Sequence, residues 1–417
     1  MAMTGSIALA GIVLWKLGGP AGLVEQVRAA PDFKPGLLSF VPDFATATRL
    51  AIITFVVQIS IQWWGGGQGG GYLAQRLFAT KNETHSALAA LWFNIAHYVL
   101  RPWPWIIVGL GSMAFFTNAD LVDPATGQPD LERAYPLMIV RFLPTGLRGL
   151  MIASMLAAFM STIDTQLNWG ASYLVNDLYK RFLRPDASDR HYVGASRIAM
   201  VLIVVLGALA AWQSESITDA WIFLAKLTAG AGLVGLLRWY WWRVNAWAEI
   251  SALLASLAIA CAVLPLRMVH RIGIIPDTLM TRIEWVYSSE AYPILFTVIV
   301  AVCAAIWISV MFLTQPVSEN HLSRFYRRVR PGGWWAPIAR KHPDLVQEGA
   351  VRSWLGWLAG VVCVYAALFG FGYLCLSRPL AGSMFLILAA ASGSIMVWQA
   401  SRPGAVESGF EDATRNG

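Results

Sequence analysis

The chain has 417 residues, of which 57% are hydrophobic and only 13% charged, with 20 tryptophans and a formal net charge of +7. Soluble domains carry about a quarter charged residues, so this composition excludes an ordinary water-soluble fold and points to lipid as the solvent. The basic excess does not describe a nucleic-acid surface, because its lysines and arginines fall in short clusters between apolar runs, as in the loops of membrane proteins; no nucleic-acid partner is expected.

In chain order, the N-terminal "MAMTGSIALAGIVLW" lacks a basic leader and a small-residue cleavage site, so it does not read as a signal peptide. A helix needs about 20 apolar residues to cross the hydrocarbon core. Ten candidate spans start near residues 1, 47, 87, 146, 193, 217, 245, 291, 353 and 380. The first is short, at about 16 residues. Alternate loops hold 17 and 7 Lys and Arg residues. The positive-inside rule therefore predicts that the 17-residue set, with both chain ends, is cytoplasmic and that the protein sits in the inner membrane. The basic loop 314–352 belongs to that set; it reads as a topology anchor near anionic membrane lipid.

Near the end of the second candidate span, "WWGGGQGGGYLAQR" (63–76) places six glycines together. Each glycine costs a helix about 1 kcal/mol relative to alanine, and no Gly-Lys-Ser/Thr follows to make a phosphate loop. Broken backbone at membrane depth survives where it is buried in protein or lines a cavity. Gly65–Gly71 are therefore predicted to mark an interior-facing break, the alternative being a flexible helix end. The third span contains "RPWPW" (101–105), whose two prolines should kink it. The four cysteines, Cys261, Cys303, Cys363 and Cys375, show no CxxC spacing and read as small core residues.

"AAFMSTIDTQLNWGASYLVNDLYKRF" (157–182) has an unusual density of polar groups for an apolar helix. At 100° per residue, Ala158, Ser161, Thr165, Asn168 and Ser172 fall within about 80° of arc, with Thr162 and Asp164 flanking it. Two readings stand: a packing seam of small and hydroxyl residues, or one wall of an ion site built from neutral oxygens. Asp164 favours function, since a carboxylate at membrane depth costs about 2.5–3.5 kcal/mol. No HExxH motif or paired-carboxylate spacing accompanies the six histidines, so an enzyme is not expected.

That segment resembles the most recognisable stretch of the sodium:solute symporter family, and the likeness extends through "GGGYLAQRLFATKNE", "AYPLMIVRFLPTGLRGLMIASMLAAFMST", "GLVGLLRWYWWRVNAWAEI" and "FYRRVRPGGWW". The resemblance implies an all-α integral membrane protein with the inverted-repeat fold of five plus five core helices. It also implies secondary transport that couples the entry of a co-transported sodium ion to uptake of a small-molecule solute, a sugar or similar. It places sodium ligands on the Ala158 carbonyl and the Ser161 and Thr162 hydroxyls, with Asp164 as electrostatic support. It further implies that residues 1–16 are part of the family's fifth core helix, so that earlier helices, with their share of the ligands, fall outside the chain. Residues 47–240 would then be the second core repeat, 245–313 additional membrane helices, 314–352 the cytoplasmic loop, 353–399 a C-terminal helix pair and 400–417 a tail. A non-transporting fragment or sensor-like membrane module is the alternative.

Solute residues transfer unevenly. Ungapped counting puts the sugar-contacting lysine of sugar-transporting members at His97, with a structural histidine as the other reading. The aromatic gate position is glycine here, with Trp63 and Trp64 slightly earlier. The family's sugar-binding glutamine position is apolar, near Trp221, and one turn on lies Lys226, either a solute contact or a lysine snorkelling to an interface.

Overall fold

The computed structural model describes residues 2–62, 71–124, 127–212, 216–343, 345 and 350–401. In chain order the α-helices are α1 (Ala2–Leu17), α2 (Gly19–Ala29), α3 (Arg49–Ser60), α4 (Gly71–Phe78), α5 (Glu83–Asn94), α6 (Trp103–Ser112), α7 (Ala134–Phe142), α8 (Thr145–Ser172) and α9 (Asp189–Trp212). They continue with α10 (Ile217–Tyr240), α11 (Ala246–Cys261), α12 (Val263–Arg271), α13 (Asp277–Tyr287), α14 (Tyr292–Leu313), α15 (Glu319–Val329), α16 (Ala336–Ala339), α17 (Ala350–Cys375) and α18 (Pro379–Ala400). Two segments, Ile95–Leu100 and Tyr173–Leu183, wind as wider π-helices. No β-strand forms among the described residues beyond isolated bridges.

Among the described residues seven helices are long and apolar enough to cross a bilayer, corresponding to the candidate spans from residue 146 onward. The protein is thus a multi-pass membrane protein. Of the other three candidates, the first and third differ from the sequence expectation of ten single spans, each for a physical reason. The first is a bent pair: α1 and α2 meet at 75°. Gly18 and Gly19 adopt φ of 82° and 86° there, a left-handed conformation costly to residues with a Cβ, and Pro20 opens the next helix. Of the second, the described part, α3, is a helix of 12 residues, about 18 Å long at 1.5 Å per residue; residues 63–70, which hold most of the predicted glycine break, lie outside the described residues. The third is not one kinked helix: the π-segment ends at Leu100 and α6 begins afresh at Trp103. Pro102 caps α6, and Pro104 stands in its first turn, where its missing N–H is no loss.

The chain forms two compact units. The first comprises residues 1–37, 101–217 and 372–378. In it α1 packs on α2, α6, α7 and α8, and α8 on α9. Leu9, Val13, Leu23, Val27, Val108 and Met138 are fully buried there. Close approach explains Gly111, where an added Cβ would stand 2.5 Å from Val13. Ala171, Val175, Tyr192 and Ala199 join α8 and its π-extension to α9. The Tyr192 hydroxyl donates to the Arg184 carbonyl at 2.6 Å and accepts the Ala187 N–H at 3.1 Å, which fixes the turn between them.

The second unit comprises residues 38–100, 218–371 and 379–417, and its core is α10, α11 and α14. Ala248, Ala252, Ser256 and Ala260 recur every four residues on the buried face of α11, letting backbones come close. Large side chains on α14, Phe296, Ile299, Trp307 and Met311, complete the packing. Cys303 and Cys363 are buried and all four cysteines are free, in accord with their reading as core residues.

Candidate functional site

Helix α8 is built from strong helix formers, Leu, Met and Ala, so it runs unbroken past its polar residues and sets them in fixed register. Residues 158, 161 and 162 are related as i, i+3 and i+4, which puts them on one face. The Thr162 hydroxyl lies 3.0 Å from the Ala158 carbonyl oxygen, to which it donates. One turn on, Thr165 donates to the Ser161 carbonyl at 2.9 Å, and Asn168 Nδ2 donates to Asp164 Oδ1 at 3.1 Å. Each of these groups is satisfied within its own helix, so the stripe needs no partner helix to exist. Ala158, Ser161, Thr162 and Asp164 are all exposed in the first unit. The Ser161 hydroxyl makes no hydrogen bond among the described residues.

Three oxygens, the Ala158 carbonyl and the Ser161 and Thr162 hydroxyls, therefore share one open face, with a carboxylate at its edge. Hard cations take oxygen ligands, and neutral oxygens suit a monovalent ion that must also leave. No group of three or more His, Cys, Asp or Glu residues that could hold a metal is found among the described residues. Asp164 bonds within its own helix, to Asn168, and among the described residues no bond to a neighbouring helix forms.

Of the solute candidates, His97 and Lys226 belong to the second unit; Trp63 and Trp64 lie outside the described residues. His97 sits half-buried on the π-segment, stacked on Phe93 at 4.9 Å and edge-on to Tyr98 at 4.7 Å. Its neighbour Val99 packs with Ala366, Ala367 and Ala389. Lys226 belongs to a different core: Ala229, one turn on, packs with Val57, Tyr292 and Phe296. The structure does not bring His97 and Lys226 into one cluster.

Nor does Lys226 snorkel. It is 6% exposed, and its ammonium donates to the Tyr287 carbonyl at 2.8 Å. Tyr287 is the last residue of α13, where helix carbonyls lack intrahelical N–H partners and the helix dipole favours a cation. The lysine thus caps another helix from across the core. Burial pushes the Tyr287 phenol up, so it remains a donor, and it bonds the Ile259 carbonyl at 2.7 Å.

A feature absent from the sequence reading lies beside Lys226. The Ser256 hydroxyl of α11 donates to the Lys226 carbonyl at 2.7 Å and accepts the Gly230 N–H at 3.2 Å. It bonds the two backbone groups that stand at i and i+4 in α10, and so ties α11 to the α10 backbone. Gly230 is required: an added Cβ would meet the Ala252 carbonyl oxygen at 2.5 Å. The four-residue spacing of small residues on α11 was a visible signal of close packing; the serine's target was not.

Apolar helices long enough to cross a bilayer, with a bent pair ahead of them and a polar stripe along one of them, define the class of multi-pass membrane proteins. Comparison with known proteins gives the family. Residues 1–256 match the profile of the "Sodium:solute symporter family", and the chain belongs to that family. It is 26% identical over 299 residues to the "Sodium/glucose cotransporter" of Vibrio parahaemolyticus, covering 66% of this chain and 53% of that protein. It is 31% identical over 254 residues to the "High-affinity proline transporter PutP" of Bacillus subtilis (59% and 49%). It is 27% identical over 297 residues to human "Sodium/myo-inositol cotransporter 2" (64% and 41%). The chain spans about half the length of the curated relatives it matches.

Proposed function

We propose that the protein is a secondary active transporter that couples sodium entry to uptake of a small organic solute. The observation that carries this reading is the set of three oxygens on α8, with Thr162 Oγ1 and the Ala158 carbonyl 3.0 Å apart on the segment that resembles the family's sodium-binding helix. The energetics suffice. One charge crossing 100 mV yields about 2.3 kcal/mol, and tenfold accumulation of solute needs about 1.4 kcal/mol.

In this reading Ala158, Ser161 and Thr162 bind sodium, and Asp164 lowers the local potential without direct contact. His97 contacts the solute by a hydrogen bond from its ring, with Trp63 and Trp64 alongside. Lys226, whose ammonium is engaged by Tyr287, serves the solute path by fixing α10. Residues 47–240 act as the second core repeat and 1–16 as part of the helix before it. The protein works in the inner membrane with both ends of this chain in the cytoplasm. Relatives named for glucose, myo-inositol and proline define the classes to test.

The experiment is uptake of radiolabelled glucose, myo-inositol and proline by vesicles expressing the gene's complete reading frame, in an inward sodium or potassium gradient. The expected result is accumulation of one class under sodium alone. Equal uptake in both gradients would overturn the coupling.

A further inference from the structure

The basic loop after α14 does more than count toward topology. Its helix α15 divides into two faces: Leu322 and Tyr326 are buried against Trp335 and Ile338, while Arg324, Arg327 and Arg328 are exposed on the opposite side. The loop is clamped to the α10–α11 turn. The Trp334 N–H donates to the Tyr240 carbonyl at 2.6 Å, and Trp335 Nε1 donates to the Trp239 carbonyl at 3.0 Å. The α14 end joins them, with Asn245 Nδ2 donating to Thr314 Oγ1 at 2.8 Å and Arg243 Nη2 to the Thr314 carbonyl at 3.0 Å. Tyr240 also packs on Trp354 near the start of α17, ring centroids 5.4 Å apart. Ends of four helices, α10, α11, α14 and α17, thus converge on one rigid cap.

Exposed tryptophans surround this cap: Trp239, Trp247, Trp334 and Trp354. Tryptophan with one apolar side and one polar edge belongs at the headgroup level of a bilayer. That sets the cap's depth. Anionic headgroups attract basic residues within about a Debye length, ~8 Å at physiological salt, and the exposed arginines of α15 lie on a helix packed directly on the tryptophan-ringed cap. Among the described residues no acidic side chain pairs with Arg327, Arg328 or Arg340, whereas Lys341 is held by Glu319. Three buried side-chain nitrogens of the same cap, Arg243 Nη1, Arg330 Nε and His342 Nε2, also lack hydrogen-bond partners among the described residues.

We propose that this cap is a docking surface for anionic phospholipid headgroups, with the tryptophans seated in the interface and Arg327, Arg328 and Arg340 on the phosphates. A bound headgroup would hold four helix ends together, which gives the lipid a lever on the second unit. The proposal rests on the membrane assignment and not on the sodium site.

The test uses the purified full chain in neutral detergent, titrated with phosphatidylglycerol, phosphatidylcholine or inorganic phosphate, reading lipid retention and thermal unfolding. Phosphatidylglycerol alone is expected to be retained and to raise the unfolding temperature, more weakly as salt rises. Arg327→Gln, Arg328→Gln and Arg340→Gln together should weaken its binding on the order of a hundredfold, at about fivefold per arginine. The triple lysine variant, which keeps the charge, should retain most of it. Neutralising Arg267, Arg271 and Arg282, in α12 and α13, should change little. Equal stabilisation by phosphatidylcholine or by phosphate would overturn the proposal. So would equal losses in the two charge-neutralised variants, or undiminished binding in the first.

Discussion

Polar residues within membrane helices are handled in opposite ways in the two units. On α8, Thr162, Thr165 and Asn168 bond one turn back along the same helix; Thr162 and Asn168 stay exposed and Thr165 is half-buried. On α10 and α11, Lys226 and Ser256 are buried, and both bond across to other elements, Tyr287 and the α10 backbone. The first arrangement leaves oxygen lone pairs on an open face, available to an ion. The second uses up its polar groups to fix helices against one another. A polar residue in a membrane helix is thus a site or a clamp according to where its hydrogen bonds go, and composition alone does not separate the two.

Substitutions can break this contrast. The largest effect is expected at Gly230. Gly230→Val must push its new atoms against the Ala252 carbonyl, already 2.5 Å from the first added carbon, and backbone cannot swing aside as a side chain can. Overpacking of this kind costs about 3 kcal/mol, visible as a lower unfolding temperature in detergent and reduced membrane levels. An unchanged unfolding temperature would show that the α10–α11 contact is looser than described.

Lys226→Met comes next. It keeps the apolar stem and leaves the Tyr287 carbonyl unpaired, at about 1–3 kcal/mol. Thermal unfolding should report the loss, and proteolysis should cut faster near α13. If instead stability is kept and only solute affinity falls, Lys226 is a solute contact and not a clamp.

Smallest is Asp164→Asn. The carboxylate is exposed and its partner among the described residues, Asn168, can still donate to an amide oxygen. Stability should change by less than about 0.5 kcal/mol, and apparent sodium affinity by less than about threefold, an electrostatic effect only. A loss of a hundredfold in sodium-titrated uptake would make Asp164 a direct ligand.

Much of this was legible in the sequence. Length and apolarity located the seven long helices, and a 100° step placed Ala158, Ser161 and Thr162 on one face. The first and third candidate spans differ from the expectation because hydropathy averages over backbone breaks: at Gly18 and Gly19 the chain turns through 75°, and Pro102 starts a helix where a kink was expected. The partners of Lys226 and Ser256 could not be read, since an orphan carbonyl at the end of α13 lies 61 residues from the lysine that caps it. The cap built from α15 and the α10–α11 turn was hidden for the same reason. Its two halves are each visible as aromatic and basic runs, and only tertiary contact joins them.

The central claim is that the open face of α8 binds sodium. Thr162→Val preserves shape and deletes one oxygen, so the most direct measurement is sodium-titrated solute uptake by this variant beside the wild type, in vesicles expressing the complete reading frame. A lost neutral partner costs about 1–3 kcal/mol, and 1.4 kcal/mol is tenfold. The account predicts that apparent sodium affinity falls about five- to a hundredfold, while solute affinity at saturating sodium changes far less. An unaltered sodium dependence would contradict it and reduce the stripe to a packing seam.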